Sequence, residues 1–156
     1  MRAAGRSACV ESFFHANLPV LRSSPAWARA TVRQILTEWR VRADTVESAE
    51  LLTSELVTNA VLFSGTSLEV DSRPSRIDVA HIALTLRRSP GLVRVEVCDE
   101  NTKPPILRSA PEPDAEGGRG LILVNAMSVD WGYFFPQPGW KAVYFVLDAP
   151  ELGAGQ

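Results

Sequence analysis

The chain has 156 residues, 46% hydrophobic and 22% charged, with a formal net charge of −2. That length predicts one domain with a real core, and the mild acidity excludes an electrostatic case for nucleic acid. No stretch approaches the roughly 18 apolar residues of a membrane span, and Met1 to Val10 lacks the apolar segment of a signal peptide, so a cytoplasmic protein is expected.

Residues 1–10 read as frayed, and Glu11 to Leu18 as a short edge strand followed by Pro19. Ser24-Pro25 is a helix start, with serine as N-cap and proline at the first helical position. That helix is expected to reach about Arg40, packing through Trp27, Ala30, Ile35 and Trp39. Asp44-Thr45-Val46-Glu47 resembles a capping box and would start a second helix through about Phe63. Val46, Ala49, Leu52, Leu56, Ala60 and Phe63 recur at three- and four-residue spacing, and Glu55 and Asn59 lie at the edge of that stripe. Ser64-Gly65 ends it.

Thr66 to Ser75 reads as a loop. Ile77 to Arg87 and Leu92 to Asp99 are strands joined by the turn signal Arg88-Ser89-Pro90-Gly91. Asn101 to Gly118 holds four prolines and two glycines, an irregular stretch long enough to serve as a lid or to be disordered. Gly120 to Met127 is a short helix, Val129 to Phe135 and Lys141 to Leu147 are closing strands, and the chain from Asp148 is expected to be loose, as part of a flexible 149–156 tail. Hairpin-connected strands with helices gathered on one side predict a two-layer α/β sandwich with a mixed, mostly antiparallel sheet, built as a single domain with its core over about 11–148.

Three places carry the candidate chemistry. Glu55 and Asn59 are four apart in a helical pattern, so both project from one face. The Asn59 amide oxygen suits magnesium, which combines one or two protein oxygens with phosphates and water, and Glu55 is placed as a general base. The plainer reading makes both polar surface positions of an amphipathic helix. Asp99 ends an apolar strand, where its carboxylate could accept from the exocyclic amine of adenine or simply cap a turn through its own backbone. Gly117-Gly118-Arg119-Gly120, opening a helix, has the glycines, helix dipole and arginine that suit phosphate, or forms a flexible loop before a helix.

Other residues carry weaker signals. Cys9 and Cys98 are too few for a disulfide framework or zinc site, and Cys98 reads as a small strand hydrophobe. His15 and His81 fall in strand-like segments without nearby acids, and Lys141 reads as a solvated lysine near a terminal strand.

In combination these elements resemble the GHKL ATPase superfamily with its Bergerat ATP-binding fold. They are most similar to its anti-sigma-factor serine kinase branch, the ATP-binding regulators of actinobacterial type. Glu55-Leu56-Val57-Thr58-Asn59-Ala60 resembles the N box, Val97-Cys98-Asp99 the start of the first glycine box, and Glu116-Gly117-Gly118-Arg119-Gly120-Leu121 the second. The resemblance implies ATP and Mg²⁺ as cofactors, with Asn59 on magnesium and Glu55 as the base that activates a serine hydroxyl. It further implies Asp99 at the adenine amine, and Gly117, Gly118, Arg119, Gly120 and Leu121 as nucleotide-binding, with Arg119 near the γ-phosphate. The implied substrate is an anti-anti-sigma protein, and the implied partner a sigma factor sequestered by a homodimer. The sequence departs from the superfamily pattern in Glu100-Asn101-Thr102-Lys103-Pro104-Pro105, which replaces a glycine-bearing run, in Phe63, where many relatives carry histidine, and in a longer Thr66–Arg76 segment. A non-catalytic ATP-dependent binding module of the same fold is the alternative. A histidine kinase catalytic domain fits less well, because no helix with a phosphoacceptor histidine precedes the domain.

Overall fold

Period-two alternation builds the sheet. A computed structural model describes residues 11–64, 80–107 and 119–150. In chain order the elements are β1 (Ser12–Pro19), α1 (Ser24–Glu38), α2 (Ala43–Phe63), β2 (His81–Ser89), β3 (Gly91–Asp99), α3 (Arg119–Met127), β4 (Asp130–Phe134) and β5 (Lys141–Ala149). The strands form one five-stranded sheet in the order β1-β2-β3-β5-β4, antiparallel at every pairing where the sequence allowed a mixed sheet. Ile82, Leu84 and Leu86 of β2, Val93, Val95 and Val97 of β3, and Val143, Phe145 and Leu147 of β5 alternate onto one face and bury there. The three helices supply the second layer of the same core, through Val32 and Leu36, Leu52 and Leu56, and Leu121 and Val124. This is the predicted two-layer α/β sandwich.

The β2–β3 hairpin turns at Pro90-Gly91, where Gly91 has φ +77, a left-handed backbone that glycine adopts without steric cost. No helix among the described residues is long and apolar enough to cross a membrane. The expectations for residues 1–10, for the Thr66–Ser75 loop, and for Gly117 and Gly118 lie outside the described residues.

The helix ends differ from the sequence expectation. Ser24 is not the N-cap of α1. Ser23 is, without a side-chain bond, while the Ser24 hydroxyl is buried and donates to the Pro19 carbonyl, tying the helix start to β1. The buried stripe of α1 is Ser24, Ala28, Val32 and Leu36, one position out of phase with the predicted Trp27 and Ala30, which are exposed. Small Ala28 allows close approach to α2, whereas the bulk of Trp27 turns outward with half its surface exposed. Ile35 and Trp39 pack partly against the core, as expected. Arg40, at φ 57, follows the helix, and Val41 N–H donates to Leu36 O while Arg40 N–H donates to Thr37 O, a Schellman closure.

The capping box also fails to form. Arg42 is the N-cap of α2, and the Asp44 carboxylate accepts from the adjacent Thr45 N–H and pairs with Arg42 at 2.8 Å. Phe63, assigned by spacing to the packing stripe, is exposed at the end of α2. At the other terminus β5 continues through Ala149, which pairs with Gly91 and is buried, so Asp148 and Ala149 are not loose as predicted; residues 151–156 lie outside the described residues.

Candidate functional site

The period that buries three valines of β3 also buries Asp99, the next residue on that face. Asp99 therefore ends its strand inside the fold, lining a cavity of about 350 Å³ between the sheet and the helices. Its walls are apolar: Leu56 and Phe63 from α2, Val97 and Val143 from the sheet, and Leu121 from α3. Asn59 reaches in from α2, and Asn101, Lys103, Pro104, Pro105 and Ile106 close one side. The volume falls within the range of small-molecule sites, and apolar walls with a few convergent polar groups are their usual lining.

The Asp99 carboxylate is well held. Oδ1 accepts the Asn101 N–H at 2.8 Å, so the turn-capping geometry considered from sequence does occur. The same oxygen lies 3.5 Å from the Lys141 ammonium, which also donates to the Lys103 carbonyl at 3.1 Å. The Asn101 side chain accepts in turn from the Lys103 N–H at 3.0 Å. Burial pushes the Asp99 carboxyl above the usual carboxylate value, against the opposing pull of Lys141 and the Asn101 N–H. Next to it on the opposite face of β3, burial and the neighbouring Asp99 charge push the Cys98 thiol up to about 11. Cys98 is therefore a protonated, inert thiol, the hydrophobe-like role expected of it.

α3 closes the far end against α2. A Cβ placed on Gly120 would stand 2.9 Å from Glu55 Oε2, 3.0 Å from Glu55 Cβ and 3.5 Å from Asn59 Nδ2. A side chain there would force the two helices apart, so glycine allows the close approach that brings Gly120 onto the Glu55/Asn59 edge of α2. The fold thus places Asn59, Asp99 and Leu121 on one cavity, with Glu55 one helical turn before Asn59 and in contact with Gly120. Arg119 opens α3 and is exposed. The Asn59 amide oxygen could serve as one ligand of a hard cation that takes its remaining ligands from elsewhere. Among the described residues no cluster of three His, Cys, Asp or Glu side chains would hold a metal unaided.

Lys141 was not expected here. It is 6% exposed, directly opposite Asp99 in the β3–β5 register, and not a solvated lysine. The sequence does carry a trace of this: Lys141, Val143, Phe145 and Leu147 share one strand face, so the charge occupies a core-period position. The remaining candidates are peripheral. His15 is exposed and bonds the Thr85 hydroxyl at 2.9 Å, and the His81 ring lies 5.1 Å from that of Trp140.

Residues 21–137 match the family model of the histidine kinase-like ATPase domain. No curated protein matches the chain. Among solved structures, the crystal structure of the RsbU and RsbW domains of Rv1364c from Mycobacterium tuberculosis is similar, with a TM-score of 0.63 and 17% identity over 88% of this chain. At that identity the likeness is one of fold, and the chain spans only 32% of that protein's solved length.

Proposed function

The chain belongs to the histidine kinase-like ATPase family, a domain that implies ATP binding, and on that premise we propose that it is an ATP-binding regulator that phosphorylates a serine of a protein partner. The observation that carries the reading is a buried carboxylate, Asp99, lining an apolar cavity that Asn59 also lines. The flat faces of a purine suit the apolar walls, and the Asp99 carboxylate is an acceptor for its exocyclic amine. Asn59 would hold Mg²⁺, which supplies charge neutralisation to the phosphates when bound. Gly117, Gly118, Arg119, Gly120 and Leu121 would line the nucleotide's phosphate end, where the start of α3 adds a favourable dipole.

Glu55 is the proposed catalytic base. It would accept the proton of a serine hydroxyl as that oxygen attacks the terminal phosphorus, and Gly120 fixes its position. Phosphoryl transfer depends mostly on positioning and charge stabilisation, so one base, one metal and one arginine form a sufficient set. The resemblance to anti-sigma-factor serine kinases supports an anti-anti-sigma protein as substrate and a sigma factor, held by a homodimer, as second partner.

The alternative is a non-catalytic module in which ATP orders the lid and tunes partner affinity. One observation weighs against it: Asn101–Lys103, beside the cavity, is already held by Asp99 and Lys141 without a nucleotide. Incubation with labelled Mg-ATP and candidate partner proteins separates the two. Phosphoserine on a partner establishes the kinase, whereas nucleotide binding without transfer establishes the module.

A further inference from the structure

The core face of β3 and β5 is apolar at three successive pairings: Val93 with Leu147, Val95 with Phe145, and Val97 with Val143. The fourth is Asp99 with Lys141, whose side chains are 8% and 7% exposed. Burying an ion pair costs desolvation that its attraction often fails to recover, and well-packed apolar residues commonly do as well or better. Sheet stability is therefore a poor reason for a lysine at this position. A better one lies in what Lys141 touches.

The turn after β3 is built from two successive side-chain caps of the same kind. Asp99 Oδ1 accepts the Asn101 N–H at 2.8 Å, and Asn101 Oδ1 accepts the Lys103 N–H at 3.0 Å, each reaching two residues ahead. Lys141 joins the two ends of that run. Its ammonium donates to the Lys103 carbonyl at 3.1 Å and lies 3.5 Å from Asp99 Oδ1, which commits two of its three N–H donors. Asp99, Asn101, Lys103 and Lys141 thus form a closed ring, three members from one turn and the fourth from a strand 38 residues beyond Lys103. All four line the cavity.

We propose that Lys141 is a positioning residue of the nucleotide site: its ammonium closes this ring, keeps the Asp99 carboxylate anionic for the base, and fixes the cavity wall at Lys103. The inference rests on the nucleotide reading of the cavity given above, and Lys141 acts through Asp99 without touching the nucleotide. Among the described residues, both contacts of the Asp99 carboxylate fall on Oδ1, which leaves Oδ2 for the exocyclic amine. Burial is the largest influence on Asp99 and favours its protonated form; the Lys141 charge is the largest influence against it, ahead of the Asn101 N–H. No other neighbour takes its place. In the turn, Lys103 and Glu100 are both exposed and of opposite charge. α2 presents neutral Asn59, with Glu55 a turn further away, and α3 presents Leu121. On β3 the Cys98 thiol is protonated, and β2 begins at His81, exposed and set against Trp140.

Calorimetric titration with ADP across the acid and neutral range, on the native chain, Lys141→Gln and Lys141→Arg, tests this without reference to catalysis. Affinity for the native chain should fall below a midpoint set by Asp99. Lys141→Gln keeps a hydrogen-bond donor and removes the charge. Its midpoint is expected to rise by about one pH unit or more, because an opposite charge at this range holds a carboxylate down by about 1–3 pH units. Between the two midpoints it should bind ADP roughly tenfold more weakly than the native chain, and on the alkaline plateau within a few-fold of it. The nucleotide's own phosphate titration is common to every chain and cancels in the comparison. An unchanged midpoint, whether or not affinity drops evenly at every pH, overturns the inference, reduces Lys141 to packing and leaves the nucleotide site standing. A native chain that does not bind ADP overturns both. Lys141→Arg retains the cation and should keep the native midpoint, so a raised midpoint there overturns the inference even where Lys141→Gln fails to fold.

Discussion

Gly120 of α3 rests against Glu55 of α2 so closely that an added Cβ would stand 2.9 Å from the Glu55 Oε2 and 3.0 Å from its Cβ. The carboxylate tip could swing away from such a Cβ, but the Glu55 Cβ is fixed to the helix and could not. Gly120→Ala is therefore expected to separate the two helices, at a cost of about 1–3 kcal/mol for overpacking, partly offset by alanine's better helix propensity of about 1 kcal/mol. The diagnostic result is in the ligand response: thermal unfolding with and without Mg-ATP should lose its ligand-induced shift while the free protein remains folded.

Glu55→Gln keeps the shape at that contact and removes the base. Phosphoserine formation on a partner should fall by roughly 10²–10⁴-fold, with nucleotide affinity almost unchanged. Transfer that survives the substitution would assign Glu55 to packing alone.

The raised Asp99 carboxyl sets a pH dependence. Its folded value lies above its unfolded one, so the folded state binds the proton more readily; stability from this group is greatest in acid and declines as pH rises through the folded value. Nucleotide binding should run the opposite way, weakening on acidification once the carboxylate that accepts from the base becomes protonated. Titration of ADP affinity against pH should show a transition above the usual carboxylate range, and Asp99→Asn should remove it. The same substitution strands the Lys141 ammonium and is expected to cost roughly 3–5 kcal/mol, much of which the double change Asp99→Asn with Lys141→Met should recover.

Arg33 of α1 and Glu50 of α2 form a two-pronged pair, with both N···O distances at 2.8 Å. The partners are unequally buried, since the Glu50 side chain is 10% exposed and that of Arg33 66%. Removing the arginine leaves a buried carboxylate uncompensated, while removing the glutamate leaves a cation in water. The urea midpoint should therefore fall further for Arg33→Ala than for Glu50→Leu.

Thr53, midway along α2, buries its hydroxyl without a hydrogen-bond partner among the described residues. Thr53→Val keeps the shape and removes the unpaired group, so it should raise stability by about 1 kcal/mol in equilibrium denaturation.

Periodicity, with the proline and glycine turn signals between segments, determined the layer architecture and the type and order of the described elements. Alternating valines specify β3, and the Leu52, Leu56, Ala60 spacing specifies α2, because side-chain direction is a local property of the backbone. Asn59 and Glu55 were legible as neighbours for the same reason, one helical turn joining them. Element ends were less legible: Ser24 and Asp44 carry capping chemistry, yet Ser24 bonds back to Pro19 and Asp44 bonds its neighbour Thr45. The phase of α1 was hidden as well, since Trp27 outweighs Ala28 in hydrophobicity but loses to it where α1 must approach α2 closely. Asp99 was visible as the end of an apolar strand, but the partners that hold it were not. Lys141 comes from a strand distant in sequence and Asn101 from the turn that follows β3, and both oppose the upward push that burial gives the carboxyl. Local spacing determines which way a side chain points. Only the register between β3 and β5, and the seating of α3 on α2, decided what each one meets there.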